Sequence, residues 1–141
     1  MDIFVLDTDH FSEWCSTSAA GTRLRARCAK NGVEVFTTII TSQESSEGWF
    51  ALINRHPPGQ QQVPIYGLYQ RSQSALGDMF MLPFDYESAL RFESLRLLRL
   101  RVGTMDLKIA AICLAHAATL LSRNAGDFTK VPGLQFENWL D

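Results

Sequence analysis

Four apolar residues in a row, Ile3-Phe4-Val5-Leu6, stop abruptly at Asp7. A strand with one wet face alternates apolar and polar residues, whereas an unbroken run marks a strand buried on both faces. Such a strand needs a covering layer on each side, and the rest of the chain supplies both. Val35-Phe36-Thr37-Thr38-Ile39-Ile40 is rich in β-branched residues and predicts a second strand. Phe80-Met81-Leu82, ended by Pro83, and Thr119-Leu120-Leu121-Ser122 predict shorter ones, and Leu134-Gln135-Phe136 a weak fifth at an edge. Helical patterns lie between them, over 18–29, 42–54, 66–76, 88–100 and 105–117. The last is opened by Gly103-Thr104, with Thr104 as its expected N-cap. Strands alternating with helices give an α/β fold of three layers, a central parallel sheet of four to five strands with helices on both faces.

Composition narrows the function. The 141 residues have 46% hydrophobic and 20% charged side chains, ordinary globular values that argue against disorder. The only compositional break, 57–64, is a short proline-rich loop, so one domain over 1–141 is expected. Thirteen Lys and Arg against fifteen Asp and Glu give a net charge of −2, so any nucleic-acid contact must come from local clusters of base. Three cysteines without a CxxC spacing argue against structural zinc and a disulfide framework, and fit a reducing cytoplasm. The greasy stretch 107–121 contains Lys108 and His116 and is too short and interrupted for a bilayer; a buried core helix is expected there, and no membrane association. The N-terminus, with an acid at position 2, does not have the form of a signal peptide.

Ligands of a parallel sheet bind outside the carboxyl ends of its strands. Asp7 ends the first strand, Glu44 falls in the first turn of the helix leaving the second, Asp106 opens the helix 105–117, and Asp127 follows the strand 119–122. Four carboxylates from four segments are thus expected on one rim. Each has a structural explanation too. Thr41-Ser42-Gln43-Glu44 has the form of a capping box, Asp106 suits the helix dipole, and Asp127 beside Gly126 suits a turn. Asp7 is the hardest to explain away, because an acid ending a buried strand must be solvated, paired or metal-bound. Clustered carboxylates repel, and some stay protonated unless a cation sits among them. Oxygen-only ligation suits Mg2+ or Mn2+ better than zinc, and two such ions would support phosphodiester hydrolysis.

The residues also resemble a known family. Ile3-Phe4-Val5-Leu6-Asp7-Thr8-Asp9, the segment from Thr37 to Glu44 with Gly48-Trp49, and Gly103-Thr104-Met105-Asp106-Leu107-Lys108-Ile109-Ala110-Ala111 are similar to PIN-domain ribonucleases. Ala115 to Asn124, Asp127-Phe128, Val131-Pro132-Gly133-Leu134 and Glu137-Asn138-Trp139 extend the likeness nearly end to end, with the VapC-like toxins of toxin–antitoxin pairs as the nearest group. The resemblance implies a PIN-like fold and Mg2+- or Mn2+-dependent RNA endonuclease activity. It implies metal-binding and catalytic roles for Asp7, Glu44 and Asp106, with Asp127 as a more variable fourth. Asn124 matches a polar residue near that site, and Thr8 and Thr104 are counted with it as supporting groups. A homodimer and a small antitoxin whose C-terminal tail crosses the active site are also implied. Met105 and Asp9 depart from the family's usual residues; Asp9 is expected to cap a helix beginning near His10.

Arg91, Arg96, Arg99 and Arg101 on or just after one helix, and Arg23, Arg25 and Arg27 on another, are candidates for the RNA backbone, Arg96 and Arg99 foremost. His116 is expected in the core, and Trp49, Phe128 and Trp139 as packing residues. The segments around Phe50 and Tyr66–Leu76 carry apolar surface that suits a dimer or antitoxin interface. Two other readings compete. Asp7-Thr8-Asp9 resembles the motif of aspartyl-nucleophile phosphatases, but Phe11 and the order of Asp106 and Lys108 do not fit it. A non-catalytic binding or scaffold module is the other, against which stands the repulsion that four retained acids would impose.

Overall fold

Every expected strand forms, and all five are parallel. The structure, a computed structural model, describes residues 2–141. In chain order it has β1 (Phe4–Leu6), α1 (Thr8–Trp14), α2 (Ala19–Lys30), β2 (Val35–Thr38), α3 (Ile39–Asn54), α4 (Val63–Gly77), β3 (Phe80–Leu82), α5 (Tyr86–Leu97), α6 (Thr104–Ala115), β4 (Thr119–Leu121), α7 (Ala125–Phe128) and β5 (Gln135–Glu137). The sheet order is β3-β2-β1-β4-β5. The chain steps outward from β1 through β2 to β3. It then crosses back through α5 and α6 to place β4 on the other flank of β1, paired Phe4 to Thr119 and Leu6 to Leu121. The direction of winding therefore reverses between β1 and β4.

Neighbouring residues of a strand face opposite layers. Val5 and Leu120 pack with Ile40 of α3, Phe92 and Leu95 of α5, and the apolar body of α6. Leu6 and Leu121 pack with Phe11 of α1, Leu24 and Cys28 of α2, and Trp139 and Leu140 near the C-terminus. Helix α6 is apolar on every side because α5 and the sheet enclose it, and Ile109 through Cys113 have no exposed surface. Among the described residues no helix is long and apolar enough to cross a membrane.

Boundaries moved where side chains made caps. The expected strand 35–40 stops at Thr38, whose hydroxyl accepts the Thr41 N–H at 3.1 Å, so Ile39 and Ile40 open α3 instead. Asp85 caps α5 through the Ser88 N–H at 2.9 Å, starting it before residue 88. It ends before residue 100, and Arg99 and Arg101 take left-handed φ of 51° and 60°. Gly103, not Thr104, is the N-cap of α6, with no side-chain hydrogen bond. That helix ends at Ala115, and Ala117 turns the chain into β4 with φ 50°.

Candidate active site

Asp7 is fixed from three directions. Its backbone N–H donates to Leu121 O at 3.1 Å, which ties it to the end of β4, and its carbonyl accepts the Phe11 N–H at 2.8 Å. Its Oδ1 accepts the His10 N–H at 2.8 Å, making it the N-cap of α1. The side chain that ends the buried strand therefore also starts the next helix, and it is 6% exposed. Asp9, expected to cap this helix, lies in its first turn and is exposed; the cap was already taken two residues earlier.

Glu44 does not form the capping box that Thr41-Ser42-Gln43-Glu44 suggests. Helix α3 begins at Ile39, so Glu44 stands beyond its first turn, and Thr38 has already satisfied the Thr41 N–H. Its Oε1 instead accepts the Thr8 hydroxyl at 2.5 Å, across a sequence gap of 36. The structural explanation for this acid is thereby removed, and Thr8 has its supporting contact.

Asp106 and Asp127 are joined by Asn124. The Asn124 amide donates to Asp106 Oδ2 at 3.3 Å and to Asp127 Oδ2 at 3.0 Å, while its own oxygen caps α7. The Asp106 carboxyl is pushed up to about 6, first by burial, then by the negative charges of Glu44, Asp7 and Asp127. All three other acids thus lie within electrostatic reach of Asp106. Asp127 is held below the usual carboxylate range by Asn124 and by Lys130, whose Nζ is 3.3 Å away. The four acids share the carboxyl edge of the sheet, beside the reversal between β1 and β4, where parallel sheets open a ligand crevice.

Among the described residues no three His, Cys, Asp or Glu side chains are gathered closely enough to enclose a metal ion as they stand. The donor set nevertheless has the chemistry of a hard cation. Mg2+ keeps several waters and commonly takes only one or two carboxylates, so a tight protein cage is not required. Asp7, Glu44, Asp106 and Asp127 are the residues that could hold such an ion.

The remaining candidates divide. Thr104 is exposed, and no side-chain hydrogen bond links it to the acids. Arg96 and Arg99 are exposed, Arg96 with its guanidinium 5.6 Å from the Phe92 ring. Arg23, Arg25 and Arg27 are occupied within the fold: Arg23 on Leu140 O, Arg25 on Trp14 O and Ser16 O, Arg27 4.2 Å over the Trp139 ring. Lys108, considered for phosphatase chemistry, has its ammonium beside the Phe84 and Phe92 rings. His116 caps the C-terminus of α6, with Nδ1 2.9 Å from Ile112 O, and is half-buried rather than in the core. Trp139 and Phe128 are buried as expected. Phe50, Tyr66 and Leu68 are exposed, and Phe50 stacks on Tyr69. Two contributors were not anticipated, His10 and Lys130. Each stands three residues after an acid, at helical spacing, and that spacing is the signal that could have found them.

No family model matches the sequence, and no curated protein matches it at a significant level. Solved structures do share the fold. A chain of VapBC2 from Rickettsia felis, bound to a DNA fragment from its promoter, superposes with a TM-score of 0.76 at 20% identity, over 97% of this chain and 98% of that one. A chain of DNA-bound VapBC from Salmonella typhimurium gives 0.76 at 19% identity, over 99% of each. One of VapBC-5 from Mycobacterium tuberculosis, a member of the VapBC family of toxin–antitoxin systems, gives 0.66 at 23%, over 98% of each. At these identities the likeness establishes the fold, which is PIN-like as expected.

Proposed function

We propose that this chain is a divalent-metal-dependent RNA endonuclease of the VapC-like toxin type, working through Asp7, Glu44, Asp106 and Asp127 with Mg2+ or Mn2+. The observation that carries the reading is the coupling of four acids from four separate segments, with Asp106 destabilised as an anion first by burial and then by the other three. End-to-end likeness to chains of VapBC complexes supports it. When bound, the cation polarises a phosphodiester and eases deprotonation of the attacking water.

The chain's own residues prepare that chemistry. Asp7 is tied to β4 and α1 by its backbone and holds its Oδ1 on the His10 N–H, which limits the orientations its carboxylate can take. Thr8 aims Glu44 by donating to Oε1. Asn124 bonds both Asp106 and Asp127, and Lys130 beside Asp127 offsets part of the acidic charge that would repel a phosphate. Arg96 and Arg99 are assigned to the RNA backbone. A small antitoxin is the assigned inhibitor, the exposed apolar surface of α3 and α4 is assigned to it or to a homodimer partner, and the site of action is the cytoplasm.

One observation favours a second reading, a scaffold module: the acids do not enclose an ion as they stand. Thermal unfolding separates the two. A nuclease should gain stability with Mn2+, by roughly 2.7 kcal/mol at a hundredfold excess over Kd, and lose the gain in Asp7→Asn and Asp106→Asn. No gain in the unsubstituted chain would leave the scaffold reading.

A further inference from the structure

His10 has no exposed surface. An imidazole so placed is costly unless its two nitrogens find partners. The Trp139 backbone N–H donates to Nε2 at 3.2 Å, across a sequence separation of 129. Nε2 must therefore offer a lone pair, which puts the ring proton on Nδ1. Nδ1 lies 3.3 Å from Asp7 Oδ1 and has no hydrogen-bond partner of ordinary geometry among the described residues. The same Oδ1 already accepts the His10 backbone N–H at 2.8 Å. Oδ1 is thus hydrogen-bonded by the His10 backbone and has the ring Nδ1 beside it, and Asp7 Oδ2 accepts no hydrogen bond from the described residues.

We propose that His10 is a positioning residue for Asp7. With its ring proton on Nδ1, beside Oδ1, it keeps that oxygen turned toward the protein and leaves Oδ2 for a divalent cation. The C-terminal segment sets that tautomer, since Trp139 is itself held by the Phe4 ring, with centroids 5.0 Å apart, and by Arg27. Residues near the chain's end thereby govern a carboxylate near its beginning. A partner that orients a ligating group in this way typically changes metal affinity 10–100-fold when removed. The inference rests on Asp7 being a metal ligand.

The test uses the full chain in two arms. Two-bond 15N–1H correlation of histidine-labelled protein reads the tautomer directly, and His10 should show a protonated Nδ1 and an unprotonated Nε2. The second arm titrates Mn2+ by electron paramagnetic resonance into the unsubstituted chain, His10→Asn and His10→Gln, with thermal unfolding alongside. Asn can place an amide N–H near the Nδ1 position, whereas Gln reaches only toward Trp139. His10→Asn should keep most of the Mn2+ affinity and His10→Gln should lose roughly 10–100-fold, even where the two are equally destabilised. Equal Mn2+ affinity in all three proteins overturns the inference and leaves the metal reading standing. Absence of Mn2+ binding in the unsubstituted chain overturns both. A protonated Nε2 overturns the inference whatever the variants do, including if they fail to fold.

Discussion

Asp106 holds its proton up to about pH 6, against 3.8 for an ordinary aspartate, because burial and three neighbouring carboxylates penalise its charge. Between those values the folded chain binds a proton that the unfolded chain has released. The stability from this group is complete below about 3.8 and is lost as pH rises through about 6. Asp127 is shifted the other way, so its contribution is lost only on further acidification. Without metal, Asp106→Asn should therefore raise Tm at pH 7, and the gain should vanish by pH 4. Saturating Mn2+ should abolish it at pH 7, because a cation takes over the repulsion that the amide relieves. A gain independent of pH would mean that the acids are not coupled. Thr8 offers a separate check, since Thr8→Val removes the donor to Glu44 at nearly constant volume. Cleavage should fall roughly 10–100-fold, as for loss of an orienting partner, with little change in Tm.

At the scale of elements, the close approach of α1 and α2 depends on Gly21. A Cβ there would lie 2.0 Å from the Glu13 carbonyl oxygen, a backbone atom that cannot swing away. Gly21→Ala should cost at least about 1–3 kcal/mol, the usual range for overpacking, measurable by urea denaturation; an unchanged midpoint would show that the two helices separate easily. The same scale shows what the sequence made legible. Ile3-Phe4-Val5-Leu6 and Thr119-Leu120-Leu121 reveal their strands because burial on both faces leaves an unbroken apolar signature. The four acids are legible because each sits beside a strand end or helix start that local pattern can locate. Caps are less so: threonines at 37, 38 and 41 offer several frames for starting α3, and only the observed hydrogen bond selects Thr38. That choice decides whether Glu44 caps a helix or accepts the Thr8 hydroxyl. The contact of His10 with Trp139 was beyond local reading altogether, since nothing near either residue encodes the other.

The whole molecule places its candidate site at the edge of a short, parallel sheet, where the winding reverses between β1 and β4. Asp7 comes from one flank of that reversal and Asn124 and Asp127 from the other, with α3 and α6 bringing Glu44 and Asp106 over the edge. With a net charge of −2, and with Arg23, Arg25 and Arg27 bonded or stacked against the rest of the fold, a phosphate backbone has to be met by a local group of other cations. Under the proposed function, RNA contact is assigned to Arg96 near the end of α5 and to Arg99 in the left-handed turn that follows it. The most direct measurement is cleavage itself: total bacterial RNA with the antitoxin-free chain in Mn2+ or Mg2+, beside EDTA and the variants Asp7→Asn and Asp106→Asn. Discrete fragments should appear, disappear with EDTA, and fall in both variants by more than the roughly 10–100-fold expected for losing a partner that only orients a metal ligand. Cleavage that survives EDTA, or that both variants retain, would contradict the proposed function.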